Sequence, residues 1–180
     1  LKYFKKLMGE NIYLSPVNIE DLEHYTRWVN DPQVSDGLGI SWNVFSLDKE
    51  REILEKMAKE DYAFAIVKKE DDTLLGNCSL LEINQIHRKA MTGIFIGDED
   101  NRSRGYGSEA LILILDFGFN KLNLNNIMLT VLSFNKRAMA AYKKLGFKEI
   151  GRRRCSFFMD GHYYDEIYMD ILAEEFRNRK

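Results

Sequence analysis

Two short stretches carry most of the chemistry that this sequence offers. The first, NRSRGYGSEA at 101–110, sets Arg102 and Arg104 beside Gly105 and Gly107 and leads into a helix-like run. Glycines let a backbone approach a ligand closely, and a helix start presents free N–H groups and partial positive charge to an anion. Arg102, Ser103, Arg104, Gly105, Tyr106, Gly107 and Ser108 therefore read either as a phosphate cradle or as a glycine-rich turn with solvated arginines. Gly105-x-Gly107-x-x-Ala110 also matches the spacing of a dinucleotide-binding turn. That turn needs a strand running directly into its first glycine and an acid about 20 residues on. Here DEDNRSR intervenes after Gly97 and the next strand ends in LSFNK, so a dinucleotide is set aside.

The second stretch is NKRAMAAYKKLGFKEIG at 135–151. Asn135 can cap a helix, Ala138, Ala141, Tyr142 and Leu145 recur at i, i+3, i+4 and i+7, and Gly146 ends it. A tyrosine at this spacing is either core or a phenolic acid, since a phenol with a pKa near 10 keeps its proton at neutral pH. No His/Cys/Asp grouping has metal-ligand spacing, so no metal is expected. His24, His87 and His162 receive no role. The acids of DED at 98–100 are read either as drawing a cationic substrate or, by default, as a solvated loop.

The elements that must position these residues follow from periodicity and caps. A short strand at 12–14 precedes a helix capped by Asn18 and ended by NDP at 30–32. Ser46 caps a second helix to about Lys59, with Leu47, Leu54, Met57 and Ala58 on one face. Strands at 62–69 and 74–83 flank the turn EDDT, and a third covers 90–97. A mostly buried helix is expected over 108–122, a buried strand over 126–133, and two strands joined at DG 160–161 close the chain. This order predicts a single α/β (α+β) domain over 10–172. Its mixed, largely antiparallel sheet is flanked by helices and ends in a C-terminal β-hairpin, with 1–9 and 173–180 as terminal arms. Cys78 and Cys155 are expected reduced and buried in strands. RRR at 152–154 alternates along an edge strand and makes no single basic patch.

Taken together and in this order, the two stretches resemble the GNAT superfamily of N-acetyltransferases. Its pyrophosphate loop follows R/Q-x-x-G-x-G/A, met by Arg102, Gly105 and Gly107. Its next motif follows N-x-x-A-x-x-x-Y-x-K-x-G-F, met by Asn135, Ala138, Tyr142, Lys144, Gly146 and Phe147. LLEINQIHRKAMTGIFIG and FFMDGHYYDEIYM are similar to the branch with spermidine and ribosomal-protein N-terminal acetyltransferases. Those polyamine enzymes cluster glutamates in the N-terminal helices and their connecting loop; here the acids of that region are interleaved with lysines.

The resemblance implies transfer of acetyl from acetyl-CoA to a primary amine by direct attack on the thioester. It implies that the backbone of Phe95, Ile96 and Gly97 pairs with the pantetheine arm and that Tyr142 protonates the departing thiolate. Asn135 is a helix cap that either does or does not also bind the cofactor. Lys144 lies near CoA phosphates or is solvated. Glu82, on the preceding strand, is the first candidate for the base that deprotonates the amine, and surface pairing is its alternative. The amine itself is left open among polyamines such as spermidine, protein N-termini and aminoglycosides. A non-catalytic CoA-binding sensor or regulatory module is the competing class. A net charge of −2 argues against a nucleic-acid coat, and no run approaches membrane-spanning length. A cytoplasmic protein, most simply a homodimer, is the expectation.

Overall fold

A computed structural model of the chain describes residues 1–179. The residues form two compact units: Leu1–Ser79 with Ile94–Ile114, and Leu80–Gly93 with the chain from Leu115 onward. Strands of one mixed sheet contribute to both, because β4 (Leu74–Asn84) and β5 (Lys89–Ile96) pass through each.

In the first unit β1 (Leu7–Met8) pairs antiparallel with β2 (Ile12–Pro16), β2 with β3 (Ala63–Lys68), and β3 with β4. Apolar residues of β2 and β3 are buried, together with the inner faces of the helices. Asn18 caps as expected, its Oδ1 accepting from the Glu20 N–H at 3.0 Å. The cap opens a 3-10 turn, Ile19–Asp21, that leads into α1 (Leu22–Val29). NDP ends α1 but also starts a helix that the periodicity missed, α2 (Pro32–Leu38). Asp31 accepts from the Gln33 N–H at 2.9 Å, Pro32 sits in the first turn, and Gly39 at φ 67 terminates it. Ser46 caps α3 (Leu47–Ala58).

The buried face of α3 differs from the expected one. Leu54 is buried and Met57 partly so, but Leu47 and Ala58 are exposed and Glu50 takes a buried place. The reason is the docking line. α3 meets α1 and the 3-10 turn along Glu50, Leu54 and Met57, which are spaced i, i+4 and i+7 on a helix.

The expected terminal arms are built into the fold. The Tyr3 hydroxyl donates to the buried Asp21 carboxylate at 2.9 and 3.0 Å, and Lys2 Nζ lies 2.5 Å from it. Leu7–Met8 is a strand, and the Glu109 carboxylate accepts the N–H groups of Asn11 and Ile12 just beyond it. At the other end α6 (Ala173–Arg177) buries Ala173 and Phe176. Burial of aromatic and apolar area is what turns these segments from arms into structure.

In the second unit β5 runs parallel to β6 (Asn126–Leu132), and β6 is antiparallel to β8 (His162–Leu172). β8 is antiparallel to β7 (Lys148–Met159). Asp160 and Gly161, at φ 51 and 80, make the two-residue left-handed turn that DG favours. α4 (Tyr106–Asp116) starts two residues before the expected helix and passes into a π-turn, Phe117–Lys121. α5 spans Lys136–Lys144.

Cys78 is buried and free, as expected, whereas Cys155 is exposed. The pairing of β7 with β8 shifts register between Arg153 and Phe157. In that bulge Cys155 adopts φ 48, and its N–H donates to Asp165 Oδ1 at 2.8 Å. Arg152 and Arg153 precede the bulge in regular register; all three arginines are exposed, and the first two pair with Asp165 and Glu166 of β8.

Candidate functional site

The expected phosphate loop lies wholly in the first unit. Ser103 at φ 60 and Gly105 at φ 88 are both left-handed, which folds the chain back on itself before α4 begins. Among the described residues, the first loop or helix N–H here with a backbone acceptor is that of Glu109, which donates to Gly105 O at 2.9 Å. The N–H groups of Ser103 through Ser108 precede it and have none. Backbone N–H groups free of backbone acceptors at a helix start can bind either water or an anion. Arg104 is exposed beside them.

The first helical turn is packed against the end of β5. A Cβ on Gly107 would sit 3.6 Å from Ile96 Cγ1 and 3.9 Å from Ile94 Cδ1. On its β4 side the end of β5 is engaged. Gly97 N–H donates to Leu75 O at 2.8 Å, and Phe95 O lies so near Gly76 that a Cβ there would fall 2.0 Å from it. Strand backbone groups alternate sides, so Ile96 and Ile94 direct theirs the other way. The registered pairing with β6 covers only Lys89–Met91. Of the three residues expected to pair with an extended ligand, Ile96 therefore faces the open edge. Phe95 O and the N–H of Gly97 face β4, and Ile94 shares the side of Ile96.

Arg102 was expected to grip phosphate, and its side chain instead turns to the strand end. Nε donates to Ile96 O at 3.3 Å, Nη2 to Gly97 O at 2.5 Å and Nη1 to Gln33 Oε1 of α2 at 3.2 Å. On the other face of Gly97 lies the buried ring of Trp28, in edge contact with Phe95 at 5.9 Å between centroids. Trp28 Nε1 donates to Asp98 Oδ1 at 3.0 Å, and Arg27 pairs with the same carboxylate. Asp98 is thus held in place rather than free in a solvated loop.

The contact between Trp28 and Gly97 predicts the effect of one methyl group. A Cβ on Gly97 would lie 2.0 Å from Trp28 Cε2, and the ring is too enclosed to move aside. Gly97→Ala should destabilise the fold by about 1–3 kcal/mol, a typical overpacking cost. Thermal unfolding that leaves the midpoint unchanged would show that the ring is not the constraint.

The second unit holds the remaining expected residues. Asn135 caps α5, its Oδ1 accepting from the Ala138 N–H at 3.1 Å. Tyr142 is half-buried two residues before the end of α5, 6.0 Å ring to ring from Phe147. Gly146 at φ 99 turns the chain so that the Phe147 N–H donates back to Tyr142 O at 3.0 Å. Among the described residues the Tyr142 hydroxyl has no hydrogen-bond partner. Burial pushes its pKa up to about 12, so it holds its proton across the neutral range. Lys144 is exposed. Glu82 is exposed on β4 in a left-handed kink at φ 51.

Among the described residues, no group of three or more His, Cys, Asp or Glu is placed to hold a metal ion. Nor is any helix long and apolar enough to cross a membrane.

Residues 11–148 match the model of the acetyltransferase (GNAT) domain. The chain is 36% identical over 114 residues to spermidine N(1)-acetyltransferase of Vibrio cholerae serotype O1; the match covers 63% of this chain and 65% of that protein's length. It is 25% identical over 179 residues to the putative ribosomal N-acetyltransferase YdaF of Bacillus subtilis, covering 96% and 97% of the two chains. The crystal structure of spermidine N-acetyltransferase from Vibrio cholerae in complex with CoA and spermine superposes with a TM-score of 0.84 at 27% identity, covering 94% of this chain and 100% of that one. A family model that spans both the cradle and the tyrosine helix, on a matching fold, decides the matter: the chain belongs to the GNAT acetyltransferase family.

Proposed function

We propose that the protein transfers the acetyl group of acetyl-CoA to a primary amine, and that the amine is a polyamine such as spermidine. The observation that carries the cofactor half is the row of unspent N–H groups from Ser103 to Ser108, set beside the open edge of β5. A pyrophosphate takes the N–H groups, and an extended amide-bearing arm adds to Ile94 and Ile96 as an extra strand would. The similarity to spermidine N(1)-acetyltransferase supports the polyamine half.

In this reading the amine nitrogen attacks the thioester carbonyl, a C–N bond forms and the C–S bond breaks. Backbone N–H groups at the β5 edge stabilise the developing oxyanion. Tyr142 gives its proton to the leaving thiolate, a role that suits a half-buried phenol with a free hydroxyl and a raised pKa. The ammonium of the acceptor loses its proton before attack, and Glu82 is the carboxylate proposed to receive it. Asn135 holds the start of α5, and Lys144 supplies positive charge for CoA phosphates.

A protein N-terminal amine is the second reading, favoured by the near full-length similarity to the ribosomal enzyme. Acetyl-CoA turnover against spermidine, spermine, N-terminal peptides and aminoglycosides tests both. Spermidine should give the highest kcat/KM; a preference for peptides selects the second reading. CoA binding without turnover on any amine would leave a CoA-binding regulatory module instead.

A further inference from the structure

Arg102 stands at the first position of the pyrophosphate motif, yet none of its contacts is to the cradle. All three donors seen in use go to neutral acceptors outside it: Ile96 O, Gly97 O and Gln33 Oε1. A planar guanidinium can span three acceptors in a fixed fork, which an ammonium of equal charge cannot do. Trp28, packed on Gly97 and bonded to Asp98, also holds this strand end. On the β6 side the registered pairing of β5 stops at Met91, so Ile96 O and Gly97 O have no strand partner there and the guanidinium takes them.

We infer that Arg102 is a positioning residue rather than a phosphate ligand: it clamps the open edge of β5 at Ile96 and Gly97 and ties that edge to α2 through Gln33. Phosphate is left to the backbone N–H groups of 103–108 and to Arg104. The clamp does not block the edge, since a carbonyl oxygen accepts two hydrogen bonds and the Ile96 N–H is not used by the fork. This inference rests on the proposed acetyl-CoA site for its kinetic consequences and stands without it for its structural ones.

The two roles separate in a Lys substitution. A phosphate ligand acting through charge is largely rescued by Arg102→Lys; a fork is not. Arg102→Lys should raise KM for acetyl-CoA on the order of tenfold, the size of one lost charge-assisted hydrogen bond. The affinity for ADP, which carries a pyrophosphate but no pantetheine arm, should stay within about twofold of wild type. Arg104→Gln should weaken acetyl-CoA and ADP alike. Gln33→Ala should raise KM in the same direction, and combined with Arg102→Lys should add less than its separate effect.

Hydrogen exchange on the protein without any ligand supplies the independent arm. Arg102→Lys should speed exchange of the Gly97 amide about tenfold while the Ile66 and Leu75 amides in the core stay protected. Full acetyl-CoA affinity in Arg102→Lys, or ADP affinity falling in step with it, overturns the inference. So does unchanged Gly97 exchange. A wild-type protein that ignores acetyl-CoA overturns the proposed function instead, and the exchange result still decides the clamp.

Discussion

Tyr142→Phe should lower kcat by about 10²–10⁴, the range for removing a general acid. CoA affinity and the unfolding midpoint should stay close to those of wild type. The asymmetry follows from the site. The ring's contact with Phe147 survives the substitution, and the hydroxyl has no partner among the described residues, so its loss orphans nothing. The thiolate then has to take its proton from water. Because burial holds the Tyr142 pKa at about 12, the wild-type rate should show no fall from its ionisation between pH 7 and 10. Steady-state kinetics with CoA binding measured by calorimetry check both halves. Undiminished turnover would remove Tyr142 from the mechanism.

Glu50 should make the stability of the protein depend on pH near neutrality. Its side chain is 3% exposed, and Oε2 has no hydrogen-bond partner. Lys49, adjacent in sequence, reaches instead towards Asn43 Oδ1 and Val44 O at 3.4 Å and lies over the Phe45 ring. On the elements packed against α3, the buried Asp21 is taken by Lys2 and Tyr3, and Glu23, His24 and Arg27 are exposed. Burial therefore raises the Glu50 pKa from 4.5 to about 7, with Lys49 pulling slightly the other way.

A carboxyl that binds its proton more tightly when folded stabilises the fold fully below the unfolded value. That stability is lost as pH rises through the folded value. The wild-type protein should lose about 3 kcal/mol from this group between pH 4.5 and somewhat above 7. For a chain of this length that is roughly a 6–12 °C fall in Tm. Glu50→Gln should flatten the dependence, leaving the variant more stable than wild type at pH 8 and no more stable at pH 4.5. Glu50→Leu should be stabilising throughout, since it also removes the unpartnered oxygen. Parallel Tm curves for wild type and Glu50→Gln over pH 5–8 would show that the carboxylate finds a partner when ionised.

Glu50 also marks the limit of reading helices from a single sequence. Its spacing from Leu54 and Met57 fits one helix face, but an acid does not mark itself as part of an apolar stripe. Only docking of α3 on α1 decides that the line through Glu50 is the inner one. α2 was a different kind of miss. Asp31, Pro32 and Gly39 are a cap, a first-turn proline and a left-handed stop, so its limits were written in the sequence while its apolar periodicity was too short to notice. Cys155 could not have been placed, because a bulge depends on how β7 pairs with β8.

Local rules sufficed wherever a residue acts on neighbours a few positions away. Asn18, Ser46 and Asn135 cap the helices they precede, Asp160–Gly161 turns the hairpin, and Gly105 at φ 88 turns the chain into the start of α4. Those features are backbone geometry over one turn, and residue type dictates it. The destination of a long side chain is not local. Arg102 has donors enough for a phosphate or for a strand end, and nothing within its motif distinguishes the two. Its fork is directed by Ile96 and Gly97 at the end of β5 and by Gln33, 69 positions away, which only the packing of the first unit brings within reach.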